Sequence, residues 1–414
     1  MKALLRDTRV QRLLLANITG SVGSGVTIIA VPWLLVHRPG GDRLYGYVTL
    51  GTTLALFLFM PYYGTWIDRH SRKKMLLVGE LFGFAATLAM ALVALATGRL
   101  ETWQLMATYF FGMLYYTLHY PAKYAFLQQI IDRVHYQSLT GLMEIQGQTA
   151  SMLAGGLAGL LIDRVPLWLI LLLDSATYLF SFVIQSTLPY SPTHLTDAAN
   201  SPGAATTKTS TWHAMAEGWR WLRAHPRLSV FFACTLVPFV LVMVNNYLFP
   251  VYVADTLHAT ATVFGRGEIV FALGALLAGI FIPHLATRRG ADQTIVFTLA
   301  TCVASLVLLI GWHTEFAYYA ALLLFGLGNA GSRVARNALV LQLVPNAVMG
   351  RVSMFFSAAD RLLRTVLTFA CTLIIAHANA ALAFALLLLV LLAAFAGTLA
   401  TRAVIRPAAA PSAA

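Results

Sequence analysis

Twelve runs of mostly apolar residues follow one another along the chain, at roughly 11–36, 44–67, 75–97, 103–125, 138–162, 167–187, 227–253, 264–285, 292–312, 316–340, 350–376 and 379–402. A helix needs about 20 apolar residues to cross the hydrocarbon of a bilayer, and each run is of that order. The pattern predicts an all-α integral membrane protein with twelve transmembrane helices. The longest polar interval, 188–226, is rich in Ser, Thr, Pro and Ala and divides the runs six and six. The expected organisation is an N-terminal six-helix bundle over 1–187 and a linker over 188–226. A C-terminal six-helix bundle over 227–403 and a flexible tail over 404–414 follow. Trp212, Trp219 and Trp221, with Arg220 and Arg223, predict an amphipathic helix on the inner membrane surface before the seventh run.

Composition agrees. Of 414 residues, 59% are hydrophobic and only 11% charged, against about 25% charged in an ordinary soluble domain. A water-soluble fold has no means of hiding so much apolar surface. Lys2, Arg6 and Arg9 precede the first run and Arg12 opens it, without a small-residue cleavage site, so that run is expected to be retained. Cys234, Cys302 and Cys371 all fall in apolar runs, which predicts neither a disulfide framework nor a zinc site.

The formal net charge is +12, a value that in a soluble protein would raise nucleic-acid binding. Its distribution argues otherwise. With the N-terminus inside, 21 of the 28 Lys and Arg lie on cytoplasmic segments. Arg38, Arg43, Arg99, Arg164 and Arg266 lie outside, and Arg361 and Arg364 fall within the eleventh run. Insertion topology explains this asymmetry and predicts both termini in the cytoplasm. Nucleic acid is excluded as a partner. No G-x-x-x-x-G-K-[ST] loop is present, so the chain is not expected to hydrolyse ATP. No nucleophile or metal constellation supports an enzyme, and no cofactor is expected.

The stretch G-T-W-I-D-R-H-S-R-K-K at 64–74 puts five charges in seven positions between two oily runs. It aligns without a gap with G-I-F-I-P-H-L-A-T-R-R at 279–289, in the equivalent loop of the second half. Lys123 and Gln129 in turn match Arg336 and Gln342 at the same spacing. Two such matches six runs apart predict two pseudo-symmetric bundles in parallel repeat, an arrangement used for alternating access.

These residues resemble the major facilitator superfamily, whose loop between spans two and three carries a Gly, an Asp-Arg pair and a basic cluster. More narrowly the chain resembles the drug:proton antiporter-3 branch, which includes macrolide-efflux proteins and an enterobactin exporter. D-R-H-S-R-K-K at 68–74, E-G-W-R-W-L-R at 217–223, V-P-N-A-V-M-G-R-V at 344–352 and Asp174-Ser175 carry that resemblance. Span five reads A-G-G-L-A-G at 154–159, without the Gly-Pro pair usual in antiporters of the superfamily. P-A-K-Y at 121–124 and G-L-M-E at 141–144 are similar to the lysophospholipid transporter, another member.

The resemblance implies a cytoplasmic latch built from Gly64, Asp68, Arg69, Arg72, Lys73 and Arg351. Asp68 would meet the N-terminal end of span eleven; the alternative is that the cluster only anchors topology. It also implies that spans one, four, seven and ten line a central cavity.

Ionisable groups inside spans are functional candidates by default. Asn329, Ser332, Arg333 and Arg336 share one face of span ten; the two arginines either face the cavity or snorkel to the interface. Asp360 and Arg364 are spaced for an ion pair, with Arg361 beside them. Asn17, Ser21 and Ser24 on span one, Tyr116, His119 and Tyr120 on span four, Gln148 on span five, and Asn245 and Asn246 on span seven complete the substrate-binding candidates. Glu144, with Asp360, is the candidate for proton coupling; a structural Glu144–Lys123 bridge is the alternative, and His119 is read as a packed histidine or a relay.

The expected function is therefore secondary active transport. A siderophore-like metabolite or a lipophilic drug would be exported across the bacterial cytoplasmic (inner) membrane by proton-coupled antiport. Lysophospholipid transport is the alternative, and a membrane-embedded enzyme the alternative of another class. The expected partners are a small-molecule substrate, protons and membrane lipids, with the chain a monomer.

Overall fold

The computed structural model describes residues 6–98, 100–130, 136–190, 219–344 and 346–405. Side chains at 60–69, 120–121, 124–125, 128–129, 136–141, 144–145, 341–342, 346–351, 353–354 and 404 fall outside the description. All regular structure among the described residues is helical. In chain order the long helices are α1 (Thr8–Val36), α2 (Gly41–Arg69), α3 (Arg72–Thr97), α4 (Thr102–Ile130), α5 (Tyr136–Leu161) and α6 (Leu167–Ser186). Then come α7 (Pro226–Val251), α8 (Ala261–Arg289), α9 (Ala291–Gly311), α10 (Glu315–Leu343), α11 (Asn346–His377) and α12 (Ala380–Thr401). Each predicted run corresponds to one helix. α7 ends in a π-helical turn at Tyr252–Thr256. Residues 219–224 are helical; the rest of the predicted surface helix lies outside the described residues.

Over the described residues, seven helices are long and apolar enough to cross a membrane on that criterion alone: α1, α3, α6, α7 with its π turn, α8, α9 and α12. The charges of α10 and α11 lower their mean hydropathy, and those two helices carry the ionisable groups described below. Phe316 is 83% exposed and Leu58 69%, a cost no soluble protein would bear at many positions and no cost at all in lipid.

One expectation is corrected. The 64–74 stretch is not a loop. α2 continues through Arg69 and α3 begins at Arg72, leaving only His70 and Ser71 between them. His70 is extended and Ser71 caps α3, its hydroxyl accepting from Lys74 N at 3.4 Å. The charges therefore extend two helices beyond the oily runs instead of interrupting them.

Helix ends are capped by side chains where the sequence supplies them. Asp7 accepts from Arg9 N at 2.8 Å, and the Arg9 guanidinium closes on the same carboxylate, Nη2 to Oδ2 at 2.8 Å. The Arg9 side-chain hydrogen bond is the main cause that holds the Asp7 carboxyl below its usual range. The sign follows: the cap contributes fully above the unfolded value of about 3.9 and is lost only as pH falls through the lower folded value. Lys73 Nζ donates to the carbonyls of Ser186 (2.7 Å) and Leu188 (2.6 Å) at the C-terminal end of α6. A cation there meets the negative end of the helix dipole. Lys73→Met is expected to cost about 1 kcal/mol, read as a lower melting temperature. An unchanged melting temperature would mean that these two contacts carry no net stability.

The described residues fall into two compact units, one within Met1–Ala205 and Phe249–Ile269, the other within Thr206–Leu248 and Val270–Ala414. In the first, α1 packs on α6, α5 and α4, and α3 packs on α6 and α4. Val10, Leu13, Leu76, Phe126, Leu127 and Met143 form an apolar core among α1, α3, α4 and α5. In the second, α9 lies between α10 and α12.

Candidate functional site

The second unit holds a cavity of about 290 Å³ among α7, α10 and α11. Phe232, Leu236, Phe239, Val340 and Phe356 give it apolar walls, while Arg336, Asn337, Ser357, Asp360 and Arg361 bring polar groups to it. The α10 helix delivers Arg336 one turn past Ser332, whose hydroxyl donates to the Thr235 carbonyl of α7 at 3.3 Å and fixes the register of the two helices. Arg364 Nη2 lies 3.8 Å from Asp360 Oδ2. Two polar atoms at the cavity are left over: Arg336 Nη1 and Asp360 Oδ1 are buried, with no hydrogen-bond partner among the described residues. Such groups are costly unless something satisfies them. One is a donor with positive charge and the other an acceptor with negative charge, so the cavity is suited to a greasy molecule bearing both an anionic or accepting group and a donor.

The first unit holds a second polar region. A cavity of about 20 Å³, room for about one water molecule, is lined in part by Ser24, Thr27, Tyr116, Asp174 and Tyr178. Thr27 donates to Asp174 Oδ2 at 2.6 Å, and Ser24 Oγ lies 3.2 Å from Tyr116 Oη. Gly23 permits this approach: a Cβ there would stand 2.2 Å from Thr177 Oγ1. Next to it, Glu80 of α3 is 1% exposed. Its Oε1 accepts from Gln185 Nε2 of α6 at 2.9 Å and from Tyr115 of α4 at 3.3 Å. His119 Nδ1 lies 3.0 Å from Tyr115 Oη and 3.3 Å from Glu80 Oε1. Lys123, one turn further along α4, interacts electrostatically with Glu80.

The anticipated residues therefore separate. Arg336 and Asp360 share the larger cavity, with Arg364 paired behind them. Ser24 and Tyr116 share the smaller one. His119 is packed against Tyr115 and Glu80. Ser21 receives Gln146 Nε2 at 3.5 Å. Among the described residues, Asn17 and Asn245 are buried with no partner for either side-chain polar atom, and Asn329 with none for its oxygen. Gln148, Asn246 and Arg333 have interactions of their own. The side chains of Tyr120, Glu144, Asp68, Arg69 and Arg351, and the surroundings of Gly64, lie outside the described set, as does any Glu144–Lys123 bridge. Glu80 is the residue that sequence reasoning passed over. It is the lone charge in 75–98, and that isolation was the available signal.

Long apolar helices with polar cavities inside their packing are what a multi-pass transporter requires. The Major Facilitator Superfamily model matches residues 13–368, and the chain belongs to that superfamily. It is a transporter and not an enzyme. The multidrug efflux pump Tap of Mycolicibacterium fortuitum is 21% identical over 305 residues, 72% of this chain and 73% of that protein. Macrolide efflux protein A of Streptococcus pyogenes is 23% identical over 262 residues, and the match spans 63% of this chain and 62% of that protein. Among solved structures, the nucleoside transporter NupG matches with a TM-score of 0.67 at 14% identity, covering 97% of this chain and 100% of that one. A bacterial homologue of the iron transporter ferroportin, inward-facing, matches with a TM-score of 0.67 at 17% identity, covering 95% and 98%. At these identities the solved structures establish the fold alone.

Proposed function

We propose that the chain exports amphipathic organic molecules from the bacterial cytoplasm by proton-coupled antiport. Its α7–α10–α11 cavity is the substrate-binding region of the C-terminal bundle. The observation that carries this reading is the pair of unsatisfied atoms, Arg336 Nη1 and Asp360 Oδ1, at an aromatic-walled cavity. Apolar walls with a few placed polar groups are the usual composition of a small-molecule site. Two further guanidinium groups, Arg361 and Arg364, bias the site towards a ligand with an anionic or strongly accepting end. The efflux relatives favour export and a drug-like substrate, and a siderophore-like metabolite meets the same chemistry.

The cycle is alternating access between two six-helix bundles, with both termini cytoplasmic and the monomer as the working unit. Asp68 and its neighbours act as the cytoplasmic latch. The test is accumulation in efflux-deficient bacteria expressing the chain, with carboxyfluorescein, erythromycin and a lysophosphatidylethanolamine as three separate probes. Reduced, uncoupler-sensitive accumulation of carboxyfluorescein or erythromycin supports the proposal. Movement of the lysolipid alone would reassign the chain to lipid transport, and no movement of any probe would sink the drug-like reading.

A further inference from the structure

We infer that Glu80, held among α3, α4 and α6, is the proton-binding residue that couples transport in this chain. The inference rests on the proposed antiport and names Glu80 rather than the candidates Glu144 and Asp360. Three observations carry it. First, a carboxyl group sits at 1% exposure inside a membrane-spanning unit, where ionisable groups persist mainly for function. Second, its two oxygens are treated differently. Oε1 accepts from Gln185 and Tyr115, whereas Oε2 is buried with no hydrogen-bond partner among the described residues. A purely structural carboxylate would be expected to have both oxygens satisfied. Third, the neighbours are themselves able to pass protons. One hydroxyl carries one proton, so when Tyr115 donates to Glu80 its oxygen accepts from His119 Nδ1–H, 3.0 Å away.

The titratable and charged groups facing Glu80 among the described residues are Tyr115, His119 and Lys123 on α4 and Tyr178 on α6, with Asp174 facing Tyr178 in turn. Tyr115 meets Tyr178 edge-on at 4.7 Å between ring centroids. Tyr178 in turn lines the small cavity with Asp174, Ser24 and Tyr116. Tyr178 thus touches both the small cavity and Tyr115, the residue that donates to the carboxylate.

The step balances simply. A proton reaching Glu80 binds Oε2, turning a carboxylate into a neutral carboxylic acid. Oε1 keeps its hydrogen bonds from Gln185 and Tyr115, so no partner needs replacing. What changes is charge: the attraction between Glu80 and the α4 cations, His119 when protonated and Lys123, disappears. The hold of α3 on α4 is thereby made dependent on protonation, and release of the proton restores it.

Two readouts test this on the full chain in liposomes. Infrared titration reads the carbonyl stretch of protonated carboxyl groups and needs no substrate. Glu80→Gln is expected to remove one such band, and Gln185→Met to move its frequency without removing it. The second readout is erythromycin or carboxyfluorescein transport, whichever the wild type carries. With one proton per turnover, a gradient of about one pH unit supports about tenfold accumulation. Glu80→Gln is expected to lower that ratio to about one while substrate counterflow without a gradient continues. An unchanged band, or full gradient-driven accumulation by Glu80→Gln, would overturn the assignment to Glu80. A wild type that ignores the gradient would overturn proton coupling itself, a different failure.

Discussion

Arg336→Met is expected to weaken carboxyfluorescein binding by about 10- to 100-fold, the equivalent of one lost charge-assisted hydrogen bond worth about 1.5–3 kcal/mol. Methionine keeps much of the side-chain volume against Phe232 and Phe356, so the apolar part of the site survives and the protein still folds. The loss falls on affinity, read as a higher KM for export from proteoliposomes. Arg336→Lys retains the charge without the planar fork and recovers only part of the loss. Asp360→Asn acts in the opposite direction on this probe. It removes the one negative charge that answers Arg364 at 3.8 Å, leaving the cavity more positive, and anion affinity rises. A neutral or cationic substrate donating to Asp360 Oδ1 would lose affinity in the same variant. The pair of substitutions thus reads the sign of the substrate's charge. Arg336→Met with unchanged KM for every transported probe would remove the cavity from the transport pathway.

Spacing singles out part of this cavity's polar lining, Arg336, Asp360 and Arg361, whereas Asn329, Ser332 and Arg333 are not among its lining residues. Asn329, Ser332, Arg333 and Arg336 fall on one face of a helix by spacing alone, and Asp360 and Arg364 are one turn apart on the next. What spacing leaves open is which other helix faces them. Phe232 and Phe239 come from α7, about a hundred residues earlier, and no periodicity announces that meeting. Glu80 makes the point more strongly. Its partners lie 35 and 105 residues away, on α4 and α6, so each helix read alone offers one isolated polar residue. A lone charge in an apolar run is a signal that something must meet it, because lipid cannot; the identity of the partner is a tertiary fact. The boundary at 70–71 was misplaced for a local reason. A cluster of charges suggests a loop, yet Arg and Lys are good helix formers and extend a helix past the hydrocarbon edge.

On the proposed reading, the two polar regions divide the work, each within its own packing unit. The Glu80 network is enclosed, closely hydrogen-bonded and next to a cavity of about 20 Å³, dimensions suited to a proton or a water molecule. The Arg336–Asp360 cavity, at about 290 Å³, has the size and the apolar walls for an organic molecule.

Gly326→Leu is expected to destabilise the second unit by about 3 kcal/mol or more, because the space it needs is occupied by backbone. A Cβ at Gly326 of α10 would lie 2.1 Å from the Phe271 carbonyl oxygen of α8. Reciprocally, a Cβ at Gly274 of α8 would lie 2.2 Å from the Leu323 carbonyl oxygen of α10. Side chains can rotate away from an intruding methyl group, but two helix backbones must move apart. In lipid there is no hydrophobic drive to hold two helices together, so close approach across small residues supplies the attraction. Separating them also disturbs the packing beneath Arg336, which the same helix carries to the cavity. Cys302 of α9 reports the damage, since it is buried beside α10 and would lie 2.5 Å from a Cβ at Gly328. A thiol-reactive dye followed on heating should reach it about 6–12 °C earlier in Gly326→Leu than in wild type. Gly279→Ala, on α8 with open space around it, serves as the control and should leave the transition in place. Equal melting of Gly326→Leu and wild type would mean that α8 and α10 do not approach at these glycines.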